Sequence, residues 1–119
     1  MTSEETLDLA YEVLRPGSPL AGELRARAAA LLLRQALERA VAEAWREAGY
    51  EPEWSMRAQL LCLRDLVDES TVEEAADLWG QLSGISHHHP YALAPTEEEL
   101  SGVRARVQEV VGRLRTGAR

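Results

Sequence analysis

The 119-residue chain has the length of one domain, enough to bury a core without disulfide or metal staples. Its net charge of −7 argues against duplex DNA binding through a basic surface. Its apolar runs are far too short for a membrane span, which leads to the expectation of a soluble protein with no membrane partner. The single cysteine, Cys62, excludes an intramolecular disulfide, and the acidic start carries no apolar segment of a secretory signal, so a cytoplasmic setting is expected.

The first segment predicts a helix over residues 3–14. Thr2 and Glu5 are spaced as a capping box, and Leu7, Tyr11 and Leu14 form an apolar stripe. Pro16, Gly17, Ser18 and Pro19 end it. A long second helix is predicted over residues 19–48, with Ser18 as its cap, Pro19 at its first position and Gly49 after its end. Residues 28–33 are all apolar and point in every direction around the axis, so this helix should be central and covered on more than one side. Leu33, Leu37, Val41, Ala44 and Ala48 share its main apolar face. Leu24, Leu31 and Leu32 lie off that face and call for a second packing partner, for which a second copy of the chain is a candidate.

A linker follows, with Trp54 folding back onto the core. Ser55 then opens a largely buried helix over residues 55–67, whose Met56, Leu60, Leu63 and Val67 line one side while Leu61, Cys62 and Leu66 widen it, and Cys62 reads as a small core hydrophobe. Ser70 and Glu73 suggest a capping box for a helix over residues 71–82, with Val72, Ala75, Ala76 and Trp79 facing inward. Thr96 and Glu99 suggest another for a last helix over residues 96–115, whose Leu100, Val103, Val107, Val110 and Leu114 repeat at spacings of three and four. No segment alternates like a strand. The expected fold is all-α, an antiparallel four- to five-helix bundle in a single domain.

Charge is distributed unevenly. Residues 65–77 hold six acids and no base, whereas residues 101–119 hold five arginines and one acid. The acidic run reads as a solvated surface, or as a surface that receives a basic partner. All 13 basic residues are arginine, a side chain suited to phosphate and carboxylate.

His87, His88 and His89, followed by Pro90 and Tyr91, form the one local cluster with chemical potential. In an extended segment His87 and His89 face the same way. Three readings compete. The histidines cap helix ends or bond carbonyls; or two of them, with an acid, hold a metal, although no H-E-x-x-H or cysteine pair accompanies them; or they perform acid–base chemistry or contact RNA phosphates. Trp45, Trp54 and Trp79 lie beside apolar stripes and read as core or interface anchors rather than base-stacking residues.

The order of elements is a long Ala/Leu/Arg helix, a Leu-rich helix, a short acidic helix, then a histidine-bearing turn before the final helix. It resembles HEPN-type helical bundles over roughly residues 20–114. HEPN proteins are typically small dimers, and many are RNases of toxin–antitoxin, abortive-infection and CRISPR-linked systems. Their motif is an arginine, a polar residue and then a histidine after four to six intervening positions. Here Gly80, Gln81, Leu82, Ser83, Gly84 and Ile85 precede the histidines, and none is arginine. The resemblance therefore implies either a non-catalytic relative or an arginine supplied from elsewhere, Arg34 or Arg104. The candidate catalytic groups are His87, His88, His89 and Tyr91, and the candidate binding groups are Arg34, Arg104, Ser83 and Ser86. No cofactor or metal is implied. The expected function is a self-associating binding or regulatory module, a homodimer that engages a partner protein or RNA, with a metal-independent endoribonuclease and a metal-binding bundle as alternatives.

Overall fold

The computed structural model describes residues 1–18, 22–86 and 95–117. The described elements are α1 (Ser3–Leu14), α2 (Gly22–Glu47), α3 (Met56–Cys62), a short 3-10 turn (Leu63–Asp65), α4 (Glu69–Ser86) and α5 (Glu97–Thr116). No described residue lies in a strand.

Local caps set several of these boundaries. The Thr2 hydroxyl accepts the Glu5 N–H at 3.1 Å, while the Thr2 N–H donates to the Glu5 carboxylate at 3.2 Å. The Thr2 N–H first, and then the Thr2 hydroxyl, hold the Glu5 carboxyl below the usual carboxylate range. A second carboxylate reaches the same helix end from α2. Glu43 accepts the Ser3 N–H at 2.9 Å and the Ser3 hydroxyl at 2.5 Å, satisfying an orphan amide at the positive end of the dipole. At the C-terminal end of α2, just beyond Glu43, Gly49 adopts φ 96°, and its N–H donates to the Arg46 carbonyl at 2.9 Å. Thr96 caps α5 by accepting the Glu99 N–H at 3.0 Å, and Gly117 closes it in the left-handed region.

α2 packs against every other helix. Leu33, Leu37 and Val41 are fully buried along it, and so are Ala29, Ala30 and Ala36. Burying each leucine contributes about 2 kcal/mol relative to leaving it exposed, and the alanines let neighbouring backbones come close. The Ser3–Glu43 bond at one end of α1 and the Thr6–Arg39 bond one turn along show that α1 runs antiparallel to α2. Ser70, Glu73 and Asp77 line one groove with Glu109 and Arg113, and Gln81 and Ile85 line another with Glu98 and Leu100, so α4 runs antiparallel to α5. α5 runs parallel to α2, with Arg25 and Glu97 paired at one end and Glu47 and Arg115 flanking one groove at the other, and α4 is therefore antiparallel to α2 as well. The cross-section is a flattened rhombus. α2 and α5 touch across its short diagonal, and α1 and α4 take the outer corners. The molecule measures 41 × 27 × 24 Å.

Several expectations are corrected. The third helix ends at Cys62, not at residue 67, because the chain tightens into the 3-10 turn, with the Leu66 N–H donating to the Leu63 carbonyl at 2.9 Å. Leu63 and Val67 thereby turn inward, while Cys62 is exposed and Leu61 is 63% exposed. α4 begins at Glu69, and Asp68 takes the capping role expected of Ser70. Its carboxylate accepts the Thr71 hydroxyl at 2.6 Å, the Ser70 hydroxyl at 2.8 Å and the Thr71 N–H at 3.2 Å. These bonds, the Thr71 hydroxyl foremost, hold Asp68 below the usual carboxylate range. α4 continues past Gly80 and Gly84 to Ser86, four residues beyond the expected end at residue 82. Its buried side chains are Thr71, Val72, Ala75, Leu78 and Leu82, whereas Ala76 is exposed and Trp79 half-buried. In α1, Ser3, Thr6, Leu7 and Ala10 face the core, and Tyr11 turns out to solvent. Ala48, expected on the inner face of the second helix, is exposed beyond its end. Ser18, the expected cap, donates its N–H to the Arg15 carbonyl at 3.1 Å, whereas Pro19, the expected first position, lies outside the described residues.

Candidate functional site

The histidine cluster and Tyr91 lie outside the described residues, so their roles stay as sequence-based expectations. Ser86 is the last residue of α4, immediately before that segment. Arg34, Ser83 and Arg104 are all described. The structure brings the first two together and separates the third.

Arg34 and Ser83 share the α2–α4 seam. The Trp79 indole N–H donates to Glu38 at 3.1 Å, which fixes the register of the two antiparallel helices. One turn back along α2 lies Arg34, and one turn forward along α4 lies Ser83, so the two sit at the same level. The Arg34 side chain is 25% exposed, and its Nε stands 3.9 Å from the Glu38 carboxylate. Arg34 Nε and Ser83 Oγ are both buried and find no hydrogen-bond partner among the described residues. An unpartnered buried donor costs about 1–3 kcal/mol, so two at one level form a feature that a ligand or water would relieve.

Arg104 sits on the other flank of α5, against α1. Its guanidinium lies 3.9 Å from the centre of the Tyr11 ring and reaches Gln108 at 3.5 Å. The bundle therefore stands between Arg104 and the Arg34–Ser83 seam, and the two arginines do not form one site.

The acidic run faces α5. Arg106 donates to Glu74 at 2.6 Å, to Asp77 at 2.8 Å and to Gln81 at 3.4 Å. Those contacts, that to Glu74 foremost, raise its already high pKa further. Sequence reasoning missed this clamp, although Glu74, Asp77 and Gln81 recur at i, i+3 and i+7 on one helix face. Part of the charge asymmetry along the chain is thus neutralised within the molecule.

The linker between α2 and α3 folds into an aromatic corner. The Trp45 and Trp54 rings meet edge to face with centroids 4.9 Å apart, and Tyr50 packs on Trp45 at 5.7 Å. The Trp45 indole N–H donates to the Gln59 carbonyl at 3.3 Å, and the Gln59 amide donates to the Trp54 carbonyl at 2.9 Å. Trp45 is buried, whereas Trp54 stays partly in solvent, less embedded than its sequence context suggests. The rings pack on one another, which makes the corner an anchor for the loop.

The outward side of α2 is different in character. Leu24 is 62% and Leu31 39% exposed, with half-buried Ala28 between them on the same face. Exposed Leu9 and half-buried Val13 of α1 project from the flank that carries Thr6, whose hydroxyl accepts from Arg39 of α2.

Among the described residues no group of three or more His, Cys, Asp or Glu side chains is placed to hold a metal ion, and no helix is long and apolar enough to cross a membrane. Comparisons with protein-family models, with curated proteins and with solved structures find no match to this chain. The class of protein defined here is a small all-α bundle built around a central alanine-rich helix.

Proposed function

We propose that the protein is a self-associating helical module that acts by binding, with a second copy packed on the outward side of α2. The observation that carries this reading is the exposed patch of Leu24, Ala28 and Leu31 on the most central helix. Contiguous apolar surface of this kind marks association sites. The stripe also suits its own copy. A leucine lies about one turn to either side of Ala28, so an antiparallel two-fold packing sets each leucine of one copy against the other leucine of its partner, with the small residue at the crossing. The resemblance to HEPN bundles, which are typically dimers, points the same way and adds a toxin–antitoxin or phage-defence setting with a partner protein or RNA.

Light scattering after size exclusion at micromolar concentration tests this. The expected mass is twice 13.2 kDa for the wild type. A Leu24→Glu, Leu31→Glu double variant should elute as a monomer with unchanged helical circular dichroism. A wild-type monomer at every concentration overturns the reading.

A second reading, a metal-independent endoribonuclease, draws on one observation: Arg34 has an unpartnered guanidinium nitrogen at the level of Ser83, one turn before the histidine-bearing connection. In this reading a histidine among His87, His88 and His89 transfers protons, aided by Tyr91, and the arginine stabilises the phosphorane charge. Single alanine variants at the three histidines decide it. Loss of RNA cleavage at one position supports the reading, and equal activity in the wild type and all three variants removes it.

A further inference from the structure

We infer that the α2–α4 seam holds a binding site for a singly charged phosphate ester, with Arg34 and Ser83 as its ligands. Three observations carry this. Arg34 Nε is buried and has no hydrogen-bond acceptor among the described residues, although its side chain keeps an opening to solvent. Ser83 Oγ, at the same level of the facing helix, is buried and equally without a partner. The carboxylate nearest to Arg34 belongs to Glu38, which is committed to the Trp79 indole at 3.1 Å and stands 3.9 Å from the guanidinium. The two groups thus stand at one level of the facing helices, each without a hydrogen-bond partner among the described residues.

The missing acceptor is an oxyanion. A guanidinium presents N–H groups in a planar fork that fits two oxygens of a phosphate, and a hydroxyl supplies a donor to a third. Glu38 sets the charge of the ligand. A second negative charge on the bound group would be repelled by that carboxylate a few ångströms away, so a monoanionic diester is preferred to a dianion. Its phosphate bridges α2 and α4 and supplies the direct hydrogen bonds that Glu38, 3.9 Å from the guanidinium, does not make. Arg104 does not join the site, because its guanidinium is stacked on Tyr11. Arg25, whose Nε is likewise buried without a partner, differs in being paired with Glu97 through its terminal nitrogen.

The inference shares Arg34 with the nuclease reading but does not require cleavage. Phosphate binding without RNA hydrolysis would remove that reading and leave this one standing. It is also independent of self-association.

The test follows the arginine Nε–H and tryptophan indole N–H resonances of the full chain while dimethyl phosphate is added at low salt. Saturable shifts at Arg34 Nε–H and the Trp79 indole N–H, with no saturable shift at Arg104 Nε–H, are the expected result. Ser83→Ala, a small change that preserves the helix, should weaken binding about fivefold, as loss of one hydrogen bond would. Arg34→Gln should abolish the Trp79 shift. Inorganic phosphate, largely dianionic at pH 8, should bind more weakly than the diester. No saturable shift at Arg34, equal shifts at Arg34 and Arg104, or unchanged affinity in Ser83→Ala would each overturn the assignment and leave the two donors to ordinary hydration.

Discussion

At the level of single residues, capping and burial carry the sharpest consequences. Asp68 is held below the usual carboxylate range by the donors at the start of α4. A carboxyl whose folded pKa is depressed stabilises the fold above its unfolded pKa, and that contribution is lost as the pH falls through the folded value. The Asp68 contribution should therefore be present at neutral pH and fade below about pH 4. Asp68→Asn keeps a good cap but cannot titrate. The melting temperature of the wild type should accordingly exceed that of the variant near pH 6, and the gap should close toward pH 3. Cys62 gives a second test. As an exposed thiol it should react with iodoacetamide in the folded protein at a rate near that of the urea-unfolded chain. Mass spectrometry of the quenched reaction reads this directly, and strong protection would contradict the exposed placement. Thr2, Glu5, Thr96 and Glu99 were legible in sequence because a cap acts within four residues. Asp68 outcompeted Ser70 because one carboxylate accepts from three donors at once, which a sequence pattern of two residues does not express.

Among the helices, the alanines of α2 separate packing from propensity. Ala36 is fully buried where α2 meets its neighbours, whereas Ala76 of α4 faces solvent. Both are good helix formers, so leucine at either site leaves local propensity nearly unchanged. Ala36→Leu should nevertheless cost about 1–3 kcal/mol by overpacking, and Ala76→Leu should stay within about 0.5 kcal/mol, as urea denaturation will show. The α4–α5 contact has its own probe. Arg106→Gln removes a guanidinium that bonds three side chains of α4. The groups are partly exposed, so solvent screens them, and the expected loss is about 1 kcal/mol. The regular repeat of Leu100, Val107, Val110 and Leu114 was readable because α5 shows a narrow stripe to its neighbours. In the third helix Leu60, Leu63 and Val67 were readable as the inner side and are buried, but Leu61 and Cys62, equally apolar, turn out to solvent. Which of them turn inward depends on where the helix tightens into the 3-10 turn.

Across the whole molecule, the rhombic cross-section decides which apolar residues stay uncovered. α2 is enclosed by α1, α4 and α5 on most of its circumference, and its remaining side carries Leu24 and Leu31. On the proposed self-association, Leu24→Glu alone should lower the dimer content and leave the monomer's thermal stability within about 0.5 kcal/mol, since the residue contributes little to the monomer core. Sedimentation at several concentrations, compared with denaturation of the dilute protein, distinguishes loss of association from loss of folding. The same architecture places Arg34 at the level of Ser83 and sends Arg104 to the opposite flank, so only one of the two candidate arginines stands at the α2–α4 seam.

Periodicity, caps and chain breakers, all short-range properties, were enough to mark five helices, their order and the central position of the second. The contacts that give the candidate site its character are long-range: Glu43 on the start of α1, Arg106 across three residues of α4, and Arg34 level with Ser83. Their partners are set by the register and rotation of helices packed side by side. Those are fixed by the fit of whole surfaces around Leu33, Leu37 and Leu78, and no local pattern in the chain encodes that fit.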